Sequence, residues 1–193
     1  MEKLRISCPI IVEGKYDREK LLSVCEATVL TTDGFGIFKK PEKQALFRRL
    51  SEKSRLIILS DSDGAGSVIR SFIKSTVRAE RLIQLYIPQI EGKEKRKTEA
   101  SKEGFLGVEG MERELLYRLL EPFADGSEPK GYAVSKAELY AAGLCGRENS
   151  GARRDAFCAL AGLPKKMTPN ALSAAIGVIM TKDEFDSLVS QLK

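Results

Sequence analysis

Four short apolar runs, at residues 9–12, 28–32, 56–59 and 82–87, punctuate the first part of this chain at intervals wide enough for one helix between each pair. Runs this short and this rich in Ile, Leu and Val read as strands. Helical patterns fill the intervals over residues 17–25, 41–53 and 67–80, with Pro41 suited to a first helical turn. In the last of them Val68, Ile69, Phe72, Ile73 and Val77 recur at the spacing of one helix face, which is expected to pack on the sheet. Strands alternating with helices are βαβ units, whose crossovers make the strands parallel. The predicted fold class is therefore α/β, with an N-terminal parallel sheet flanked by helices.

Periodicity lapses over residues 88–107, PQIEGKEKRKTEASKEGFLG, a polar stretch too long for a simple turn and so either functional or mobile. A helix follows, with Met111, Leu115, Leu116, Leu119 and Leu120 facing inward. Pro, Gly and acidic residues then mark EPFADGSEPKG as a linker. Beyond it every signal is helical. Ser135 and Glu138 form a capping box with Val134 and Leu139 as its staple, and Thr181 and Glu184 repeat it beside Met180 and Phe185. Residues 151–161 form a helix ended by Gly162 and Pro164, and Thr168-Pro169 opens another. The expected organisation is a sheet domain over 1–121, a linker over 122–133 and a small all-helical domain over 134–193.

The chain contains no histidine, which removes imidazole as base, acid or metal ligand and leaves carboxylates and lysines to carry any chemistry. Cys8, Cys25, Cys145 and Cys158 include no C-x-x-C pair, so neither zinc nor a disulfide framework is expected. The longest uncharged stretch, 167–181, is broken by Pro169 and falls short of the roughly 20 apolar residues of a membrane span. The N-terminus does not read as a secretory signal, and a cytoplasmic location is expected. A net charge of +5 permits a nucleic-acid partner.

Ligand sites in open parallel sheets lie beyond the carboxyl ends of the strands. Glu13 follows the first run, and Asp61 and Asp63 follow the third. Three hard oxygen donors without nitrogen or thiolate suit Mg²⁺, with Mn²⁺ as a substitute, and phosphoryl chemistry is the natural use of such a site. Gly64 and Gly66 add a turn into a helix N-terminus where a phosphate can approach backbone N–H groups. Asp63 also reads as an ordinary helix N-cap, and Asp33 as a turn residue. Gly34-Phe35-Gly36 lacks the third glycine of a dinucleotide fingerprint and no G-K-[ST] loop exists, so no nucleotide cofactor is expected. DSDGAG fails as a calcium loop because Phe72 stands where a glutamate is needed. Basic clusters occur at Arg48, Arg49, Lys53 and Arg55, and at Lys165 and Lys166. Those expected to touch nucleic acid are Lys15, Lys93, Lys95, Arg96, Lys97, Arg153 and Arg154.

IIVEGKYD followed by LIILSDSDGAG resembles the toprim domain shared by topoisomerases, primases and ribonuclease M5. The resemblance implies that Glu13 serves as general acid/base or metal ligand and that Asp61 and Asp63 hold a divalent cation. TTDGFGI, IPQIEGKEKRK, FLGVEGM and ELYAAGLCGRENSGARRDAF are similar to the ribonuclease M5 family in the same order along the chain. That family makes double-strand cuts in the 5S ribosomal RNA precursor, with a ribosomal protein helping to fold the substrate. Ser62 stands where the family usually has proline, and Gly110 where it usually has histidine. The resemblance implies an Mg²⁺-dependent endoribonuclease acting on structured RNA. Two alternatives are a non-catalytic RNA-binding or ribosome-assembly protein, and a haloacid-dehalogenase-like phosphatase with Asp61 as nucleophile and Asp63 as acid/base.

Overall fold

Ile10, Ile11 and Val12 and the run Leu56–Ser60 are buried at every position, as central strands must be when helices cover both faces of a parallel sheet. A computed structural model describes residues 2–94, 103–127 and 131–192. It separates into two compact units, Met1–Glu128 and Pro129–Lys193.

In chain order the first unit holds β1 (Leu4–Arg5), β2 (Ile10–Val12), α1 (Lys15–Leu22), β3 (Cys25–Glu26), β4 (Val29–Thr31), α2 (Pro41–Lys53), β5 (Leu56–Ser60), α3 (Gly64–Thr76), β6 (Leu82–Tyr86) and α4 (Arg113–Leu120). The main sheet is parallel throughout, in the order β4-β2-β5-β6, and β1 pairs with β3 in a second, two-stranded parallel sheet. Ile11, Leu56, Ile58 and Leu82 of the sheet share a core with Ile37, Phe47 of α2, Ile73 of α3 and Val77. The α/β reading of the sequence describes this architecture, although β1 and β3 were too short to leave a pattern.

Three elements differ from expectation, each for a local reason. α3 begins at Gly64, three residues early, because the Asp63 side chain accepts the Gly66 N–H and caps it. Its buried face is also rotated, since Val68 is 51% exposed whereas Arg70 is 6% exposed. Arg70 occupies an apolar position because its guanidinium donates to Ser60 Oγ (2.9 Å) and the Leu85 carbonyl (2.8 Å) and stacks on the Tyr86 ring. The polar stretch after β6 is not simply irregular: Leu106 N–H donates to the Ile90 carbonyl and Gly92 N–H to the Gly104 carbonyl, the base of a hairpin bridged antiparallel at Glu91 and Phe105. Residues 122–126, expected as linker, belong to a 3-10 turn over Glu121–Gly126 that packs on β1, because Phe123 is an apolar ring 2% exposed.

The second unit comprises α5 (Lys136–Ala141), α6 (Ser150–Leu160), α7 (Pro169–Ile179) and α8 (Lys182–Ser190). The capping boxes at Ser135 and Thr181 are both formed, and Thr168 caps α7 through the Ala171 N–H. Phe157, Leu172, Ile176 and Phe185 fill its interior.

Phe123→Ala should remove a buried ring at a cost of roughly 3–5 kcal/mol. Hydrogen exchange at the Leu4 and Ile6 amides, which donate to the Val24 and Glu26 carbonyls, should accelerate accordingly. Unchanged exchange would mean that this turn is only a connector.

Candidate functional site

β2 and β5 are adjacent and parallel, with Ile10 opposite Ile57 and Ile11 opposite Ile58. The residues that follow them, Glu13 and Asp61, therefore emerge at the same edge. Asp61 N–H donates to Glu13 Oε1 (3.1 Å), and Val108 N–H donates to Asp61 Oδ1 (2.8 Å). Asp17 arrives from the first turn of α1, where its Oδ2 accepts the Gly14 N–H at 2.9 Å. Glu109 comes from the 3-10 turn Val108–Gly110, which packs against α1. A cleft of about 190 Å³ is lined by Glu13, Gly14, Tyr16, Asp17, Gly34, Asp61 and Glu109. Four of these seven are carboxylates and none is a cation.

Two glycines make that approach possible. A methyl group at Gly66 would lie 2.3 Å from the Asp61 carbonyl oxygen and 2.7 Å from Glu13 Oε1, and one at Gly107 would lie 2.4 Å from Asp61 Oδ2. Gly107 is itself fixed, its N–H donating to Oε1 of the buried Glu94 at 2.9 Å.

Burial pushes the Glu13 carboxyl up to about 8, with the charges of Asp61, Asp63 and Asp17 adding to the effect and the Asp61 N–H opposing it. Asp17 is raised to about 7, again mostly by burial and then by Asp61 and Glu109. Beneath them Arg70 is held below its ordinary range by burial, with Tyr86 and Glu13 opposing. The cleft is thus a place where negative charge is costly until a cation arrives.

The expected residues divide between this cleft and other work. Glu13 and Asp61 line the cleft, whereas Asp63 is turned to its helix, accepting the Gly66 N–H at 2.7 Å. Gly64 N–H donates to Glu103 Oε1 (3.3 Å), so the chain's own carboxylates meet the N–H groups expected to receive a phosphate at Gly64 and Gly66. Lys15 is exposed over the Tyr16 ring, and Lys93 is exposed on the hairpin. Lys95, Arg96 and Lys97 lie outside the described residues. Arg153 Nε donates to the Ala142 carbonyl (2.9 Å), and Arg154 donates to the Met167 and Leu144 carbonyls (2.7 Å each). These two arginines brace the helical unit. Asp33 is the turn residue expected, held well below the usual carboxylate range by Lys40, Lys43 and Thr31.

Among the described residues no three carboxylate or thiol groups close a metal shell by themselves. The donor set nevertheless fits a hard divalent ion: all oxygen, like-charged, half-buried and open to water on the cleft side, which is how Mg²⁺ is commonly held. Glu13, Asp17, Asp61 and Glu109 are the carboxylates of the cleft lining that could hold such an ion.

No family model matches the chain. Ribonuclease M5 of Clostridium botulinum is 26% identical over 183 residues, covering 95% of this chain and 94% of that protein. Ribonuclease M5 of Bacillus cereus is 29% identical over 152 residues, 79% and 75% of the two chains. These similarities over most of the chain support a toprim, ribonuclease M5-like family. A solved small TOPRIM domain protein from Bacillus stearothermophilus is 21% identical with a TM-score of 0.45, covering 63% of this chain and 90% of that one.

In this ribonuclease M5-like chain, Ser62, where the family usually has proline, donates to the Ile87 carbonyl at 2.6 Å. The hydroxyl fastens the turn after β5 to the residue that follows β6, whereas a proline ring would restrain only its own φ. Gly110, where histidine is usual, is closed in by Leu106, whose Cδ2 would lie 3.0 Å from an added methyl. Sequence reasoning missed Asp17, Glu109, Gly107 and Arg70. Asp17 and Glu109 stood within the quoted IIVEGKYD and FLGVEGM segments, four residues after Glu13 and two before Met111.

The metal-free chain should lose stability as pH rises. Glu13 near 8 and Asp17 near 7 hold protons in the folded state that the unfolded chain has released above its ordinary 4.5 and 3.8. Their burden is absent below about pH 4 and complete above about pH 8, worth up to roughly 1.4 kcal/mol per unit per proton. Glu13→Gln, which cannot ionise, should flatten the decline in melting temperature. A profile identical to wild type would remove Glu13 from this account.

Proposed function

We propose that the chain is a divalent-metal-dependent endoribonuclease that cuts structured RNA. The observation that carries this reading is the cleft of four carboxylates and no cation at the carboxyl edge of β2 and β5. Proteins named ribonuclease M5 that align with most of its length support it.

In this reading Mg²⁺ is the ion, held by Glu13 and Asp61 with Asp17 and Glu109 behind water, and Mn²⁺ can replace it. Bound there, such an ion would supply neutralisation of the charge developing on the phosphodiester and a lowered pKa for an attacking water. Glu13, steadied by the Asp61 N–H, is the side chain that takes or returns a proton. Asp63 positions rather than binds: by capping α3 it fixes the turn that carries Asp61. Met1–Glu128 carries the chemistry, and the helical unit helps to position the RNA.

Basic residues supply the grip. Lys15 stands in the chain between Gly14 and Tyr16, which line the cleft, and Glu94 and Glu103, the described residues nearest Lys95, Arg96 and Lys97 in sequence, accept the Gly107 and Gly64 N–H groups. Phosphate contacts alone hold DNA as well, so discrimination comes from A-form shape and 2′-hydroxyls.

The phosphatase alternative is weaker on geometry. Asp63 Oδ1 is engaged in capping α3 through the Gly66 N–H, which turns the residue assigned as acid/base toward its own helix.

The test incubates 5S ribosomal RNA precursor and total RNA with the protein and Mg²⁺, with and without ribosomal proteins, and maps new ends. Wild type should cut at defined stems, chelator should abolish cutting, and Glu13→Gln should bind RNA while cutting about 10²–10⁴-fold more slowly. Tight binding without any cut would favour an RNA-binding module, and hydrolysis of small phosphomonoesters would favour a phosphatase.

A further inference from the structure

The turn Gly34–Lys39, whose first residue lines the acidic cleft, places a supported aromatic ring in solvent. Phe35 is 55% exposed, although Ile37 two residues on is fully buried in the core. The ring is not loose. It stacks on Phe38 with centroids 5.7 Å apart and planes 19° apart, and Phe38 meets Phe72 edge-on at 4.6 Å. Phe72 packs on the core cluster of the sheet. An unbroken aromatic column therefore runs from the core outward and ends at an uncovered ring face.

The same turn is fastened to the site. The Glu13 carbonyl accepts the Gly34 N–H (3.1 Å) and the Thr32 hydroxyl (3.3 Å). Asp33, at φ 60°, anchors the entry to the turn through Thr31, Lys40 and Lys43. Gly34 itself lines the cleft, so Phe35 is one residue from the cleft wall.

We infer that Phe35 is a stacking platform for one unpaired nucleobase next to the scissile phosphate. This rests on the proposed ribonuclease reading and adds a substrate requirement to it. An exposed aromatic ring next to a phosphodiester site offers what a base face seeks, and stacking of this kind accepts any base. Bases inside a continuous duplex are already stacked on their neighbours and have no free face. The preferred RNA is therefore a stem carrying an unpaired nucleotide at or beside the cut, not an unbroken helix.

The chain contains no tryptophan, so Phe35→Trp introduces a single fluorescent reporter at the platform. Its emission, on a Glu13→Gln background with Mg²⁺, is titrated with a stem bearing an unpaired nucleotide and with a fully paired stem of equal length. In parallel, labelled RNA anisotropy measures binding by wild type, Phe35→Ala and Phe35→Tyr, with melting temperatures confirming that each is folded. The inference expects quenching by the interrupted stem and little by the paired one. It expects Phe35→Ala to weaken the interrupted stem about 5- to 100-fold and the paired stem hardly at all, with Phe35→Tyr close to wild type. Equal quenching by both stems, or binding without quenching, overturns the stacking role while leaving the ribonuclease reading intact. Failure of wild type to bind either RNA overturns both.

Discussion

Glu13 and Asp61 cannot move apart, because adjacent parallel strands deliver them to one edge and each is then held by a backbone N–H, Asp61 on Glu13 and Val108 on Asp61. Asp17 and Glu109 are brought in from α1 and from the turn before α4. Bringing like charges into a half-buried cleft is unfavourable, and the raised proton affinities of Glu13 and Asp17 record that cost. The remaining features of the first unit can be read as consequences. Gly66 and Gly107 lack side chains where the carboxylates need room. The hairpin base, through Glu94 and Gly107, fixes the backbone that holds Asp61.

Arg70 shows how the sheet tolerates this charge. Its guanidinium lies buried under the strand ends, tied to Ser60, which immediately precedes Asp61. A buried cation needs partners in every direction, and here carbonyls, a hydroxyl and the Tyr86 ring provide them. Ser62 does comparable work one residue beyond Asp61, joining β5 to the end of β6. The departure from the usual proline thus replaces a local φ restraint with a bond to the residue after a neighbouring strand.

Much of this was legible in the residues. The sheet followed from apolar runs separated by helix-length intervals, and the caps of the helical unit from Ser135, Thr168 and Thr181. Glu13 and Asp61 followed from their places after strands. Asp63 allows two readings, and the Gly66 N–H on its Oδ1 bears out the helix cap. Asp17 and Glu109 stayed hidden because each sits in a local pattern complete without a site, a first helical turn and a short 3-10 turn. Arg70 was missed because a helical stripe counts residue types, whereas burial of a long cation depends on carbonyls contributed by other strands. Phe123 was read as linker because Pro, Asp and Gly around it outvoted a single ring.

The most direct test of the central claim is the proton count on Mg²⁺ binding, measured calorimetrically at pH 7 in buffers of different ionisation enthalpy. Carboxyls held near 8 and 7 must give up protons to accept a cation. The account predicts release of about one proton per ion at pH 7, declining toward none above pH 9, and a clearly smaller release from Glu13→Gln. Binding with no proton release, or release unaffected by Glu13→Gln, would contradict the claim that these carboxylates form the metal centre.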